Sequence, residues 1–386
     1  MDIAIVVPCY KRADALETLC DCLVLAEYEG DRVSLIFSID YAEGSAVPAF
    51  AERFKWPYGE KVVIKHDSNI GLRNNILYCG DLTQRYDAVI ILEDDLEVMP
   101  AFYHFAKSAA VFYENDDRIA GISIYQYFLE EVSWGTFLPI YEGYDNYFIK
   151  WASSWGQLWT RNQWQSFRNW YNTHQDISNA AIPSKVKRWK ESWKKYFIAY
   201  LNDTKRYFVF PYRSFVYNGN KGGGTHSVET ETILTSSPLE RAYKDSYSFA
   251  LLDNVKYTYD SFFQLESQTI CVDNVKYEVE FDTFGRKEYF HCPYVVTSRK
   301  CKKEDIIFSF DAGMLPIELN VIGLRKGKTL SLIKSDNIRN CKDVPYFSYG
   351  PIRKTIRNWR QLLPLGFISL KRDIKSYLKS KFSKWR

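Results

Sequence analysis

The stretch 88–92, Ala-Val-Ile-Ile-Leu, is apolar at every position and is followed directly by Glu93, Asp94 and Asp95. A strand that alternates apolar and polar residues can face water on one side, whereas one that does not alternate must be covered on both faces. Such a strand belongs inside a sheet sandwiched between helices. Comparable runs occur at 3–8, 32–40, 61–66 and 119–125, and the intervening segments 12–27, 71–86 and 101–115 carry apolar residues near helical spacing. Strands alternating with helices imply an α/β fold, a mostly parallel, Rossmann-like sheet with flanking helices.

In a sheet of this kind ligands bind at the carboxyl ends of the strands. Three adjacent carboxylates at such an end repel one another. One of them is enough to cap the helix expected from residue 100 onward. Three point to a cation and an anionic ligand, which makes Glu93, Asp94 and Asp95 the first candidate site.

With 386 residues, 46% of them hydrophobic, the chain can bury a large core and form two domains or one with an extension. The net charge of +4 is unevenly placed: residues 351–386 hold eleven Lys or Arg against Asp373, so the tail carries +10 and the other 350 residues carry −6. This excludes a broad basic face for nucleic acid and points to a local anionic partner. No run approaches the length of a spanning helix, and the start Met-Asp-Ile-Ala lacks a basic leader region, so a cytoplasmic protein is expected. The eight cysteines have no paired C-x-x-C spacing and read as reduced core residues.

Eight of the eleven tryptophans lie between 131 and 200, as bulk for a helical layer and as apolar wall for a sugar ring, with Trp155 the expected acceptor contact. Strands at 207–211 and 214–218 lead into Gly-Asn-Lys-Gly-Gly-Gly-Thr-His-Ser (219–227), expected to form a mobile loop or lid; the Lys-Ser/Thr of a P-loop does not follow the glycines. Beyond 236 the pattern is β-like, and Asp-Asn-Val-Lys-Tyr at 253–257 recurs at 273–277, compatible with two similar hairpins. In the tail, residues 352–363 read as a short basic helix. After Pro364 and Gly366, apolar residues from Phe367 to Trp385 fall on one face of a second basic helix. Such a helix suits an anionic membrane surface; the alternative is packing on the chain's own β-rich region. The expected division is 1–235, 236–350 and 351–386.

Four segments together, Val-Val-Pro-Cys-Tyr-Lys-Arg (6–12), Ser-Ile-Asp (38–40), Asp-Ser-Asn-Ile-Gly-Leu-Arg-Asn-Asn (67–75) and Leu-Glu-Asp-Asp-Leu-Glu-Val (92–98), resemble nucleotide-sugar-dependent glycosyltransferases of the GT-A fold. The acidic segment is especially similar to that of the N-acetylglucosaminyltransferase that initiates complex N-glycans and to bacterial polysaccharide glycosyltransferases (family 2-like); the segments at 153–159 and 219–227 resemble the second half of the bacterial enzymes. The resemblance spans about residues 1–230. It implies that Asp95 holds a divalent metal, Mn or Mg, and that Asp94 and Glu93 contact ribose or sugar. Tyr10, Arg12, Asp40 and Arg73 would lie on the nucleotide side, and His226 would complete the metal shell or meet the pyrophosphate. Arg12 can instead be a solvated helix-start residue and Asp40 an N-cap.

An inverting transfer also needs a carboxylate to take the acceptor's proton. The resembling animal enzyme carries it in Trp-Asp-Asp-Trp; here Arg-Trp-Lys-Glu-Ser-Trp (188–193) offers Glu191, with Ser192 in place of the second acid. Asp145 is the reserve candidate. Glu191 can equally be a solvated helix charge beside Lys190, Lys194 and Lys195. The implied partners are a nucleotide-sugar donor, a lipid-linked glycan acceptor and an anionic membrane surface on its cytoplasmic side. The competing readings are a sugar-nucleotide nucleotidyltransferase, which wants a glycine-rich loop after the first strand, and a non-catalytic nucleotide-sugar-binding scaffold.

Overall fold

The computed structural model describes residues 1–133, 135–219, 238–342 and 363. The first half follows the predicted alternation: β1 (Ile3–Cys9), α1 (Ala13–Val24), β2 (Ser34–Ile39), α2 (Val47–Arg53), β3 (Lys61–Lys65), α3 (Gly71–Asp81), β4 (Ala88–Ile91), β5 (Leu96–Val98), α4 (Phe102–Phe112) and β6 (Ile119–Ser123). There follow β7 (Asn146–Ile149), β8 (Gln157–Thr160), α5 (Arg161–Thr173), α6 (Ser184–Lys187), α7 (Lys194–Asp203), β9 (Tyr207–Pro211) and β10 (Val216–Asn218). The last part holds β11 (Thr258–Tyr259), β12 (Gln268–Val272), β13 (Val275–Asp282), β14 (Tyr294–Thr297), β15 (Phe308–Phe310), α8 (Leu319–Ile322) and β16 (Leu330–Lys334).

Nine strands form one sheet in the order β11-β7-β9-β6-β8-β4-β1-β2-β3. β4, β1, β2 and β3 are mutually parallel, as the unbroken apolar runs require, and β1 and β4 are buried at every residue. β8 breaks the pattern. It runs antiparallel to both β4 and β6, pairing Ile91 and Ser123 with Gln157. The sheet is therefore mixed, though still mostly parallel, and the start of β8 is brought beside the end of β4.

The tryptophan-rich region supplies the layer over this part of the sheet. Trp159, on β8, meets Trp164 of α5 at 4.7 Å between ring centroids and Phe197 of α7 at 5.4 Å. Trp151, Trp159, Trp164 and Trp193 are buried, so bulk is their main use. α5 begins with a capping box, Thr160 with Gln163.

Five strands form a second sheet, β12-β13-β14-β16-β15. The region after 236 contributes to both sheets. β11 pairs with β7 in the large sheet, and the small sheet begins at Gln268. The repeated pentapeptide does not make two hairpins: Asp273 and Asn274 take positive φ (49° and 64°) and turn β12 into β13, while 253–257 begins in a 3-10 turn and bends at Lys256. No disulfide forms among the described residues; Cys9, Cys20, Cys79 and Cys292 are buried as expected, but Cys271 is exposed. The basic tail, 351–386, lies outside the described residues except for Leu363, as does most of the glycine-rich segment.

Candidate functional site at the carboxyl edge of the large sheet

β1 and β4 are neighbours, so the residues that follow them converge. Arg12, at the start of α1, spans two of the acids: Nη1 donates to Asp95 Oδ2 at 2.5 Å, and Nη2 donates to Asp94 Oδ1. Asp94 is 3% exposed. Burial pushes its carboxyl up to about 6, with Arg12 pulling the other way. Burial likewise pushes Glu93 up to about 8, and Asp95 and Asp94 add to the effect while Arg12 and Lys194 oppose it. The triplet is a place where negative charge is costly and awaits compensation.

Asp95 shows where the compensation is incomplete. Its Oδ1 is buried without a hydrogen-bond partner, while its carbonyl accepts from Gly219 N–H at 3.2 Å. β5 and β10 pair antiparallel just beyond, so the glycine-rich segment departs from beside this acid. Among the described residues, no three His, Cys, Asp or Glu are grouped to hold a metal ion. A carboxylate oxygen with nothing to bind still fits a hard cation that takes its other ligands from a diphosphate and water. His226 lies outside the described residues, so its expected part in the metal shell has no placement.

On the nucleotide side, Asp40 ends β2 and anchors α3. Its Oδ1 accepts from Tyr41 N–H at 2.9 Å and Ile70 N–H at 2.8 Å, and its Oδ2 from Gly71 N–H at 2.9 Å. The capping alternative describes most of what this side chain does, and one lone pair of Oδ2 is left over. Tyr10 is 40% exposed, with Lys11 Nζ 4.7 Å from its ring centre. Arg73, in the first turn of α3, lies over the Tyr196 ring at 5.3 Å.

Arg73 also reaches Glu191, at 3.7 Å. The Glu191 side chain is 88% exposed and its φ is 46°, a rim residue in solvent. Asp145 is not brought to the acids. It precedes β7, four strands from β4, roughly 19 Å at the usual inter-strand spacing. Lys244 Nζ and Ser248 N–H, at 2.7 and 2.8 Å, occupy its two oxygens. Trp155 lies two residues before Gln157, the partner of Ile91 at the end of β4, with Gly156 turning between them at a φ of 82°. Its half-buried ring meets Tyr125 edge-on at 4.9 Å.

Two residues were missed by sequence reasoning. Lys194, named there only as a neighbour of Glu191, is 5% exposed. Nζ donates to Glu131 at 2.7 and 2.9 Å and to Tyr127 OH at 2.9 Å, and lies over the rings of Trp151, Trp189 and Tyr127. Burial holds its pKa below the usual lysine range although Glu131 favours the charge. The signal was there to read, since the stretch 196–201 has no charged position and such a helix is buried on all sides. Gln157 is fully buried with neither amide atom partnered. A lone Gln gives no such warning in sequence.

No family model matches the chain, and no curated protein matches it. Solved structures give loose matches. Residues 1–349 of S. aureus TarS align at 12% identity and a TM-score of 0.36, over 57% of this chain and 61% of that one. The same fragment in complex with UDP-GlcNAc aligns at 13% and 0.36, over 56% and 58%. The mannosyltransferase PcManGT from Pyrobaculum calidifontis, in complex with GDP-Man and Mn2+, aligns at 13% and 0.31, over 44% and 46%. The chain thus spans less than two thirds of each of these structures, and likeness at this level transfers neither a residue role nor an activity.

Proposed function

We propose that the chain is a metal-dependent, inverting glycosyltransferase of the GT-A type, moving a sugar from a UDP-type donor to a lipid-linked glycan in surface polysaccharide synthesis. The observation that carries this reading is the Asp95 carboxylate: half-buried in the turn that follows a central strand, bridged to Asp94 by Arg12, and left with one buried oxygen unpartnered. Buried polar groups are rarely left so without a ligand to meet them.

Asp95 would hold the divalent metal, whose chemistry there is to neutralise charge on the departing diphosphate. Arg12 is placed to turn from the acids to a phosphate, offering the same two N–H groups. Glu93 and Asp94 accept from sugar or ribose hydroxyls. Tyr10, Arg73 and the spare lone pair of Asp40 line the nucleotide side, and Trp155 stacks on the C–H face of the acceptor sugar. His226 keeps its proposed part at the metal or pyrophosphate. A nucleotidyltransferase is disfavoured because Tyr10, Lys11, Arg12 and Ala13 follow β1 where a triphosphate would want glycines.

No helix among the described residues is long and apolar enough to cross a membrane. The basic tail provides the reading of peripheral attachment to the inner face of the cell membrane, through charge and one apolar face. Incubation with UDP-, GDP- and CMP-sugars and Mn, with p-nitrophenyl glycosides as acceptors, tests the proposal. Nucleoside diphosphate release with glycoside extension is expected. Absence of both from every donor overturns it.

A further inference from the structure

We infer that Glu131 receives the proton of the attacking acceptor hydroxyl and that Lys194 is the residue positioning it. The inference rests on the transfer reading above and names a group in the same cleft.

Three observations place this carboxylate. α7 packs on Trp159 of β8 through Trp193 and Phe197, and the Glu131–Lys194 pair is joined to Trp155 through two rings: Tyr127 OH accepts from Lys194 Nζ at 2.9 Å, Tyr127 meets Tyr125 at 5.0 Å between ring centroids, and Tyr125 meets Trp155 at 4.9 Å. Both oxygens of Glu131 rest on the one ammonium, so its orientation is fixed. That ammonium is caged by Trp151, Trp189 and Tyr127, with Nζ to ring-centre distances of 5.3, 5.6 and 5.4 Å. Aromatic walls beside a fixed carboxylate are what a sugar hydroxyl needs to be held and deprotonated.

The other carboxylates serve less well. Glu191 projects into solvent toward Arg73, and Asp145 is tied to Lys244 on the far side of the sheet. The Glu131 side chain is 21% exposed, so it stays open to solvent in part while Lys194 anchors it. The proton leaves late. As the acceptor oxygen bonds to the anomeric carbon, the bond from that carbon to the diphosphate oxygen breaks, and its electron pair departs with the diphosphate. The hydroxyl proton, by then strongly acidic, passes to Glu131 and afterwards to water.

The test uses the full chain with the donor and p-nitrophenyl glycoside that wild type turns over. Glu131→Gln is expected to lower kcat by roughly 10²-fold or more, the usual scale for losing a general base, with Mn-UDP affinity unchanged by calorimetry. Its acid limb in the kcat profile should vanish, and Glu131→Asp should recover part of the rate. Lys194→Met should lower kcat with the acid limb shifted, and Lys194→Arg should restore much of it. Glu131→Gln that binds Mn-UDP normally and turns over near wild type overturns the inference. So does a Glu191→Gln variant that loses turnover while Glu131→Gln keeps it. A wild-type protein that transfers from no donor overturns the transferase reading itself, a result visible before any variant is made.

Discussion

At the end of β13, Asp282 is fully buried and each of its oxygens is satisfied: Oδ1 accepts from Lys287 N–H at 2.8 Å, and Oδ2 from Thr297 Oγ1 and Arg299 Nε, both at 2.8 Å. Lys287 in turn reaches Asp260 at 2.6 Å and Glu280 at 3.6 Å. At the end of β4 the charges are as close but not as complete, since Arg12 serves two acids and Asp95 Oδ1 has no partner. The two sheets thus put buried carboxylates to different uses. A closed network fixes a fold, and its members cannot be spared; an open one waits for a ligand, and its members can be removed with little loss of stability.

The sharpest way to break this contrast is to remove one acid from each. Asp282→Ala removes the buried carboxylate that pairs with Arg299 and is expected to cost about 3–5 kcal/mol, as for other broken buried pairs, read as a large fall in melting temperature. An unchanged melting temperature would mean the small sheet does not depend on its charges.

Glu318 of the small-sheet region refines the picture, being buried with no ion pair among the described residues. Burial pushes it up to about 7, its own backbone N–H working against the shift. An acid whose folded pKa lies above its unfolded value of 4.5 holds more protons when folded, so stability falls as pH rises from 4.5 through 7. Glu318→Gln should therefore stabilise by up to about 3 kcal/mol at pH 8 to 9 and change little below pH 4.5. Urea unfolding at pH 4 and pH 8.5 reads the difference, and equal gains at both would contradict it.

Asp95→Ala is the counterpart in the large sheet. The melting temperature should stay near wild type, while Mn-dependent UDP affinity falls roughly 10²-fold, about 2.7 kcal/mol. Calorimetry with UDP and Mn decides, and metal-dependent affinity that survives in the folded variant removes Asp95 from the metal's shell.

Deleting residues 351–386 should have the smallest effect on either sheet. Melting temperature and UDP affinity are expected to hold, and sedimentation with anionic liposomes should be lost. Binding by the intact chain should weaken at high salt. A truncated chain that still sediments would move the membrane contact into one of the two sheets.

Much of the large sheet was legible because its signals are local. The apolar runs forced β1, β2 and β4 into the interior, the helical spacing of Ala15, Leu16, Leu19 and Leu23 gave α1 its buried face, and the acids were visible as three charges where a core strand stops. β8 was not legible. Ser-Ser-Trp-Gly-Gln-Leu-Trp carries no mark of direction, and only the crossing of the chain between β6 and β4 makes it antiparallel. The repeat at 253–257 and 273–277 misled for a related reason: the same five residues turn a hairpin only where Val272 and Val275 have each other to pair with.

For the site, the sequence by itself determined which groups stand at the end of β4 and that their charges need an answer, because chemistry and strand direction are properties of a short stretch. The tertiary structure decided who answers. Arg12 lies 82 residues from Asp94 in the chain and Lys194 63 residues from Glu131, yet each pair is in hydrogen-bond contact. Asp145 kept the right residue type but fell four strands away, and Lys194, noted only as a neighbour of Glu191, was buried under three rings. Distance and burial are set by how the layers pack, and no single segment contains that information.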